Sequence, residues 1–543
     1  MKNIQLLDCT LRDGGRIINC AFPDYEIRSI VMGLTKARIN IVEVGFLRDW
    51  RDVNFKGNST FFTDVDQIAP FLDKSIEDTM YVAFIDFGMF DFDTLKPCDG
   101  ASIDGIRFGF TKKDYDEQKD SIIRCAKVIK DKGYKLFIQG VNTLSYSDHE
   151  LLELIDMINE LHPYSFGIVD TYGAMYVDDI DRLYGLIDHN MLPDICINLH
   201  SHNNFQLSFA FAQEIIKLSS TGMRQIIIDS TLGGMGKVSG NLCTELIMDY
   251  LIRMKNYSYD LDEIFDVFDD YIYQYSLKYK WGYSPAALMA GIYKSHPNNV
   301  IYFTEKFRLE SKDIGKLLSM VDPDKRQRYD YDHLKKIYIK YISEKVDDSK
   351  SLDQLREVIE NREVLILVPG NTLNIYKAEI DRYIADRDPV VISVNFIADY
   401  TPALAFFGNQ KRYNRSKGKR ADRDIIVSSN IRTEGNNIVV NYHSLINRGY
   451  KYFENSTIML LNLLKRVGRC TCISIAGLDG FDASQPDNYL DVSFQNDRHE
   501  AEFENINKEL GEMLEKIVQT FDNRCTVKLI TPSRFQKIID ANI

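Results

Sequence analysis

At 543 residues, 45% hydrophobic and 27% charged, the chain has a globular composition but exceeds one ordinary domain, so two or three packed domains are expected. Its net charge of -13 and pI near 5.3 exclude a chain-wide nucleic-acid surface, which needs clustered Lys and Arg, and leave the basic run 417–423 as a solvated loop. Asp8 interrupts the apolar run a signal peptide would need and no apolar segment approaches membrane-spanning length, so a cytoplasmic protein with no membrane partner is expected.

In chain order, short apolar strands are predicted at 4–9, 41–46, 81–86, 105–111, 135–141, 166–171, 196–202 and 225–231. Amphipathic stretches separate several of them, as at 114–132 and 148–161, with apolar residues at helical spacing. This rhythm predicts an α/β chain whose first half is a (β/α)8 TIM barrel; a doubly wound open sheet alternates in the same way. The polar residues favour the barrel, because Arg12, Asp13, Asp86, Asp170, His202 and Asp229 fall at or just past the C-terminal strand ends, where barrel enzymes assemble their sites. His200 and His202, two apart on one strand, share a face, and with Asp13 they offer two imidazoles and a carboxylate to one divalent cation. A lone His-x-His is more often structural, and Asp13-Gly14-Gly15 alone could be a tight turn, but that reading leaves Arg12 without a role. Nine cysteines without a CxxC pair favour free or buried thiols; Cys470 and Cys472 read as strand packing.

LDCTLRDGG at 7–15, IVEVGF at 41–46, HSHNN at 200–204, and STLGGMGKVSGNLCTE at 230–245 resemble the metal-dependent aldolase and lyase barrels, the group of 4-hydroxy-2-oxovalerate aldolase, 3-hydroxy-3-methylglutaryl-CoA lyase and isopropylmalate synthase. The resemblance covers roughly 1–255 with its motifs in order. WGYSPAALMAGIYKSHPNNV at 281–300 is similar to the helical extension of the aldolase branch. The expected division is therefore a barrel at 1–275, a helical extension at 276–345 and a separate Rossmann-like α/β domain at 355–543, with the polar stretch 344–362 exposed between them.

A 2-oxo acid presents two oxygens to a metal ion, and carbon–carbon cleavage beside it produces an enolate. Asp13, His200 and His202 suit manganese, the first choice, or magnesium, zinc or cobalt better than a soft metal, ligand type not deciding among the four, and Arg12 is placed to donate to the developing enolate oxygen. Glu43 reads equally as a direct catalytic group or as a carboxylate that holds Arg12 in place. The glycines of 232–241 could cradle a phosphate, but more economically they let the backbone approach the site. The resemblance makes Asn241, in Gly240-Asn241-Leu242, a further ligand, while Met235 stands where the lyase branch has a cysteine, which disfavours a hydroxymethylglutaryl-CoA lyase. It also implies a histidine as base three residues after Asp13; this chain has Arg16, which cannot accept a proton and could instead clamp a carboxylate or phosphate, so either Tyr172, His296 or a metal-bound water is the base or the substrate differs.

Beyond 351 a second sheet is predicted, with strands at 364–368, 390–395, 424–428, 437–442, 471–476 and 526–530. The first is followed by PGNT and a helix over 373–384, so Gly370, Asn371 and Thr372 are candidate contacts for a phosphate. This opening is faintly similar to bacterial sialyltransferase-like and motility-accessory glycosyltransferase domains, which implies a nucleotide or nucleotide-sugar ligand; equally, Gly370 could merely cap a turn. Three functional readings follow: a metal-dependent aldolase or lyase acting on a 2-oxo acid, an acyl-CoA condensing enzyme of the isopropylmalate synthase type, or a noncatalytic scaffold that has kept the barrel. Each is compatible with a homo-oligomer and needs no nucleic acid.

Overall fold

The computed structural model describes residues 4–49, 57–76, 78–220, 222, 224–306, 309, 311–342, 346–400, 403–419, 424–484, 488–491, 502–521 and 525–541. By internal contacts the chain divides into two compact units, Met1–Leu334 and Lys335–Ile543.

The first unit is built on β1 (Ile4–Asp8), β2 (Ile41–Leu47), β3 (Phe61–Phe62), β4 (Met80–Asp86), β5 (Gly105–Thr111), β6 (Lys135–Val141), β7 (Ser165–Asp170), β8 (Cys196–Ser201) and β9 (Ile226–Ser230). Eight of these run parallel in the order β1-β9-β8-β7-β6-β5-β4-β2, and β1 pairs back onto β2 to close a TIM barrel, with β3 added outside β2. Alternation along each strand sorts side chains between two environments. In β5 the outward Ile106, Phe108 and Phe110 join the core under the helices, whereas Arg107 turns inward. The lower barrel interior is apolar, with Leu7, Ile41, Val82, Phe137 and Ile227 packed together. Above it lies a polar layer of Glu43, Arg107, Gln139, Asn198 and Asp229, each at most 3% exposed. The connecting helices start where the chain supplies caps: Thr111 and Asp114 form a reciprocal capping box for Lys112–Asp131, and Ser147 and Glu150 do so for Asp148–Leu161. After the barrel, Pro285–Ile292 and Pro297–Ile301 open an all-helical extension.

Among the described residues the second unit carries seven parallel strands, β10 (Glu363–Leu367), β11 (Val390–Val394), β12 (Ala403–Phe407), β13 (Asp424–Ser428), β14 (Ile438–Val440), β15 (Cys472–Ala476) and β16 (Thr526–Leu529), in the order β14-β13-β12-β11-β10-β15-β16. The chain leaves β10 in one direction and returns on its other side, so β10 and β15 flank a topological switch point of the Rossmann-like kind. Three expectations are corrected here. The run 403–407, not foreseen as a strand, is β12, an interior strand paired with β11 and β13. The polar stretch 344–362 is not a bare linker: Ser349–Ile359 is a helix that buries Leu355 and Ile359, and Asp348 beside it is clamped by both terminal nitrogens of Arg466, at 2.7 and 2.8 Å. The helix expected at 373–384 is two, Thr372–Ile375 and Lys377–Arg387. Of the basic run 417–423, residues 417–419 form one exposed 3-10 turn and 420–423 lie outside the described residues. No helix among the described residues is long and apolar enough to cross a membrane.

Candidate metal centre

The turn after β1 winds about one carbonyl: the amides of Arg12, Asp13 and Gly14 all donate to Cys9 O, at 3.1, 2.9 and 3.2 Å. This lifts Arg12 and Asp13 over the C-terminal mouth of the barrel. Along β8 and the residue just past its end, alternation turns Asn198, His200 and His202 to the interior in ascending steps. The glycine-rich loop after β9 folds back onto the same place, because His202 and Asn241 form a β-bridge and the Asn203 amide donates to Gly240 O at 2.9 Å. Gly240 has φ +70°, and a Cβ there would lie 2.0 Å from Gly234 O, so only glycine permits this close crossing. The loop's glycines thus serve backbone approach, with Asn241 as the side chain they deliver.

Asp13, His200 and His202 converge, their ligating atoms all within 4.8 Å of one another. The two oxygens of Asp13 have separate duties. Oδ1 accepts from Arg12 Nη1 at 2.7 Å and faces Arg16 Nε at 3.4 Å. Oδ2 faces His202 Nε2 at 3.3 Å, His200 Nε2 at 3.8 Å and Asn241 Nδ2 at 3.1 Å. Each histidine spends its other nitrogen as a donor: His200 Nδ1 lies 2.9 Å from Asp229 Oδ2, and His202 Nδ1 lies 2.9 Å from the carbonyl of Asp170. Both partners can only accept, so each ring carries a proton on Nδ1 and turns Nε2 toward Asp13; burial opposes charge on His202, but the hydrogen bond and charge of Asp13 prevail and raise its pKa. Burial, outweighing the pull of Asp229 and Asp13, lowers the His200 pKa and keeps that ring neutral. Burial also opposes ionisation of Asp13, but Arg12 and the two histidines prevail and hold it well below the usual carboxylate range. Asn241 Oδ1 is buried with no hydrogen-bond partner, an oxygen that a cation beside Asp13 would satisfy. A carboxylate, two imidazole lone pairs and an amide oxygen are a donor set suited to a divalent transition metal or magnesium.

Beneath this set, Glu43 Oε2 accepts from Arg12 Nε at 2.7 Å and from Arg107 at 3.0 Å. Arg107, itself fully buried, also donates to Asn198 Oδ1 at 3.0 Å and to Asp229. The chain Asp13–Arg12–Glu43–Arg107–Asp229–His200 therefore runs from one candidate ligand to another through the barrel interior. Arg12 uses Nε on Glu43 and Nη1 on Asp13, so Nη2 is the nitrogen without a protein partner among the described residues. Sequence reasoning missed Arg107, Asn198 and Gln139, although an arginine inside the apolar run GIRFGFT was the available signal. A second cluster, Cys9 with His200 and Asp229, is less suited to a cation: the Cys9 thiol donates to Ser230 O at 3.3 Å, and burial raises its pKa far above the ordinary thiol value.

Arg16 lies at the rim, its guanidinium carbon 4.7 Å from the Phe46 ring centre. Tyr172 donates to Gln327 O at 3.1 Å and burial pushes its pKa up to about 12, which leaves it a poor base. His296, from the extension, is held down at about 4 by burial and by the charges of Lys237 and Arg16. Its Nδ1 accepts from the Asn298 amide at 3.1 Å, so the neutral ring carries its proton on Nε2 and is a donor. A cavity of about 570 Å³ lies behind the glycine loop, lined by Gly233, Val238 and Trp281 among others; none of the candidate ligands lines it.

In the second unit Gly370, Asn371 and Thr372 do sit at the switch point, but their turn already holds an anion. The Thr372 amide donates to Asp479 Oδ2 at 2.9 Å and its hydroxyl donates to Oδ1. A Cβ on Gly370 would lie 2.3 Å from Gly477 O, so this glycine permits a close crossing of two loops. A phosphate at this turn would meet the Asp479 carboxylate, and the helix it would cap has only four residues, so the geometry lends the nucleotide expectation no support.

Residues 100–270 match the family model described as HMGL-like. The chain is 23% identical to the 4-hydroxy-2-oxovalerate aldolase of Moorella thermoacetica, over 58% of this chain and 90% of that protein. It is 25% identical to a probable 2-isopropylmalate synthase of Methanosarcina mazei, over 44% of each. Among solved structures, the hydroxymethylglutaryl-CoA lyase from Pseudomonas aeruginosa aligns with a TM-score of 0.42 at 15% identity, over 53% of this chain and 96% of that one. Residues 100–270 of the barrel are thus similar to the HMGL-like family, and the chain is similar at low identity to proteins named as aldolases and isopropylmalate synthases.

Proposed function

We propose that the barrel is a divalent-metal-dependent aldolase or lyase that makes or breaks a carbon–carbon bond beside a 2-oxo acid through an enolate. The observation that carries this reading is the convergence of Asp13 Oδ2 with the Nε2 atoms of His200 and His202, beside an arginine whose Nη2 has no protein partner among the described residues. Asp13, His200 and His202, with Asn241 Oδ1, would hold the ion; manganese is our first choice, then magnesium, zinc or cobalt. When bound, the ion supplies Lewis acidity to the ketone oxygen of the substrate. The protein's part is orientation and charge. Glu43 and Asp13 grip Arg12 from two sides, so Nη2 meets the enolate oxygen as charge develops without losing time to reorientation. Arg107 and Asp229 hold Glu43 and His200 in register. Arg16 stays charged, so it binds rather than takes protons. The aldolase relatives favour cleavage of a 4-hydroxy-2-oxo acid to pyruvate over acyl-CoA condensation, whose signature would be acyl-CoA-dependent thiol release.

The test is pyruvate release from a panel of 4-hydroxy-2-oxo acids with and without manganese. Release that needs the metal supports the reading; a protein that takes up no divalent metal overturns it and leaves the scaffold reading.

A further inference from the structure

Among the described residues, the rim above the proposed metal site carries more positive charge than its carboxylates neutralise. Arg16, Arg48 and Lys237 reach it from three separate segments: the 3-10 helix Gly14–Ile18, the residue after β2, and the glycine loop. Arg16 and Arg48 both stack on Phe46, at 4.7 and 5.0 Å from its centre, and share Asp86 Oδ2, at 4.0 and 3.1 Å; Arg16 also faces Asp13 Oδ1 at 3.4 Å, a carboxylate already paired with Arg12. Arg48 Nε is buried with no hydrogen-bond partner. Lys237, half-buried, has no ion-pair partner among the described residues. Its loop is tied to the Asp13 turn through Asn241 Nδ2, 3.1 Å from Asp13 Oδ2, and Lys237 is near enough to Arg16 and Asp13 to feel both charges. Burial first, then Arg16, pulls the Lys237 pKa down. His296 nearby is uncharged and relieves none of this. Cations withdrawn from water without a counter-ion are costly, and a divalent metal below them adds to the cost unless the ligand brings negative charge of its own.

We infer that Arg16, Arg48 and Lys237 form a subsite for a second anionic group, a carboxylate or phosphate on the aldehyde half of the substrate, so that the aldol partner is an anionic aldehyde rather than a short neutral one. The inference rests on the metal–enolate reading above. In the synthetic direction C3 of pyruvate loses a proton and bonds to the aldehyde carbon, whose oxygen takes up a proton; nothing is oxidised or reduced.

Full-length, manganese-loaded protein in deuterated water with pyruvate alone reports the enolate through C3 deuteration, independently of any aldehyde. Pyruvate consumption is then compared for glyceraldehyde 3-phosphate against glyceraldehyde, and for succinic semialdehyde against butanal. The charged member of one pair should show a kcat/KM about tenfold or more higher, and that pair identifies the anion. The preference should collapse in Lys237→Met and weaken at high salt. Calorimetry on metal-free protein should show glycerol 3-phosphate or succinate, matching the preferred pair, binding about tenfold more weakly to Lys237→Met. Absence of C3 exchange overturns the enolate reading and this inference with it. Exchange with equal use of charged and neutral aldehydes, or a preference unchanged in Lys237→Met, overturns this inference alone.

Discussion

Arg12→Lys is the sharpest perturbation of the proposed chemistry, because it keeps the charge and changes only geometry. Arg12 makes two bonds at 2.7 Å, Nε to Glu43 and Nη1 to Asp13, and has a third nitrogen to spare. A lysine ammonium is one point charge on a flexible stem; it can satisfy one of those carboxylates, but it cannot span both and also present a fixed donor to the enolate. Loss of one oriented oxyanion donor costs about 3 kcal/mol, so turnover should fall roughly a hundred- to a thousand-fold. The fold should survive, since Glu43 keeps Arg107 at 3.0 Å. Metal content should survive too, because Asp13 Oδ2, His200 and His202 are untouched. The assay is metal-dependent C3 deuteration of pyruvate, followed by NMR at saturating pyruvate, alongside metal analysis of the same sample. Near-normal turnover in Arg12→Lys with full metal would refute the claim that the fixed guanidinium, rather than its charge, stabilises the enolate.

His200→Ala should lose stoichiometric metal while circular dichroism shows the barrel intact; unchanged metal content would remove the proposed site. Arg107→Met should destabilise the barrel by about 3–5 kcal/mol in urea melts, because it leaves Glu43 and Asp229 buried and short of a counter-charge; a loss below about 1 kcal/mol would mean that the interior chain contributes little. Thr244→Val removes the hydroxyl that donates to Asp8 Oδ2 at 2.6 Å, and burial raises the Asp8 pKa to about 6. Since that folded pKa lies above the ordinary carboxylate value, the contribution of Asp8 to stability is greatest with the group protonated and falls as pH rises from about 4 through about 6. The Thr244→Val penalty should therefore be about 1.5–3 kcal/mol at neutral pH and smaller in acid; equal penalties at both would contradict it. Finally, a chain ending at Leu334 should stay soluble and bind metal, because Asp348 and the helix Ser349–Ile359 spend their contacts within Lys335–Ile543; aggregation or loss of metal would show that the two units share a core.

The barrel strands were legible in the sequence because strand alternation is a local signal: a side chain two residues on shares a face whatever the rest of the chain does, and that also placed His200 beside His202. Helix Ser349–Ile359 escaped because charged residues mask its narrow apolar stripe of Leu352, Leu355 and Ile359, and β12 because a five-residue apolar run carries no period of its own. By itself, then, the sequence determined the alternating architecture of the first half and singled out Asp13, His200 and His202 as candidate ligands. Tertiary structure alone decided that Glu43, Arg107 and Asp229, from strands far apart in the chain, join into one buried charge network, and that Asp479 turns into the amide of Thr372. The reason is physical: local geometry follows from neighbouring residues, but which carboxylate faces which cation depends on the stagger of a closed barrel and on loop crossings, and these are settled only when the whole chain has packed.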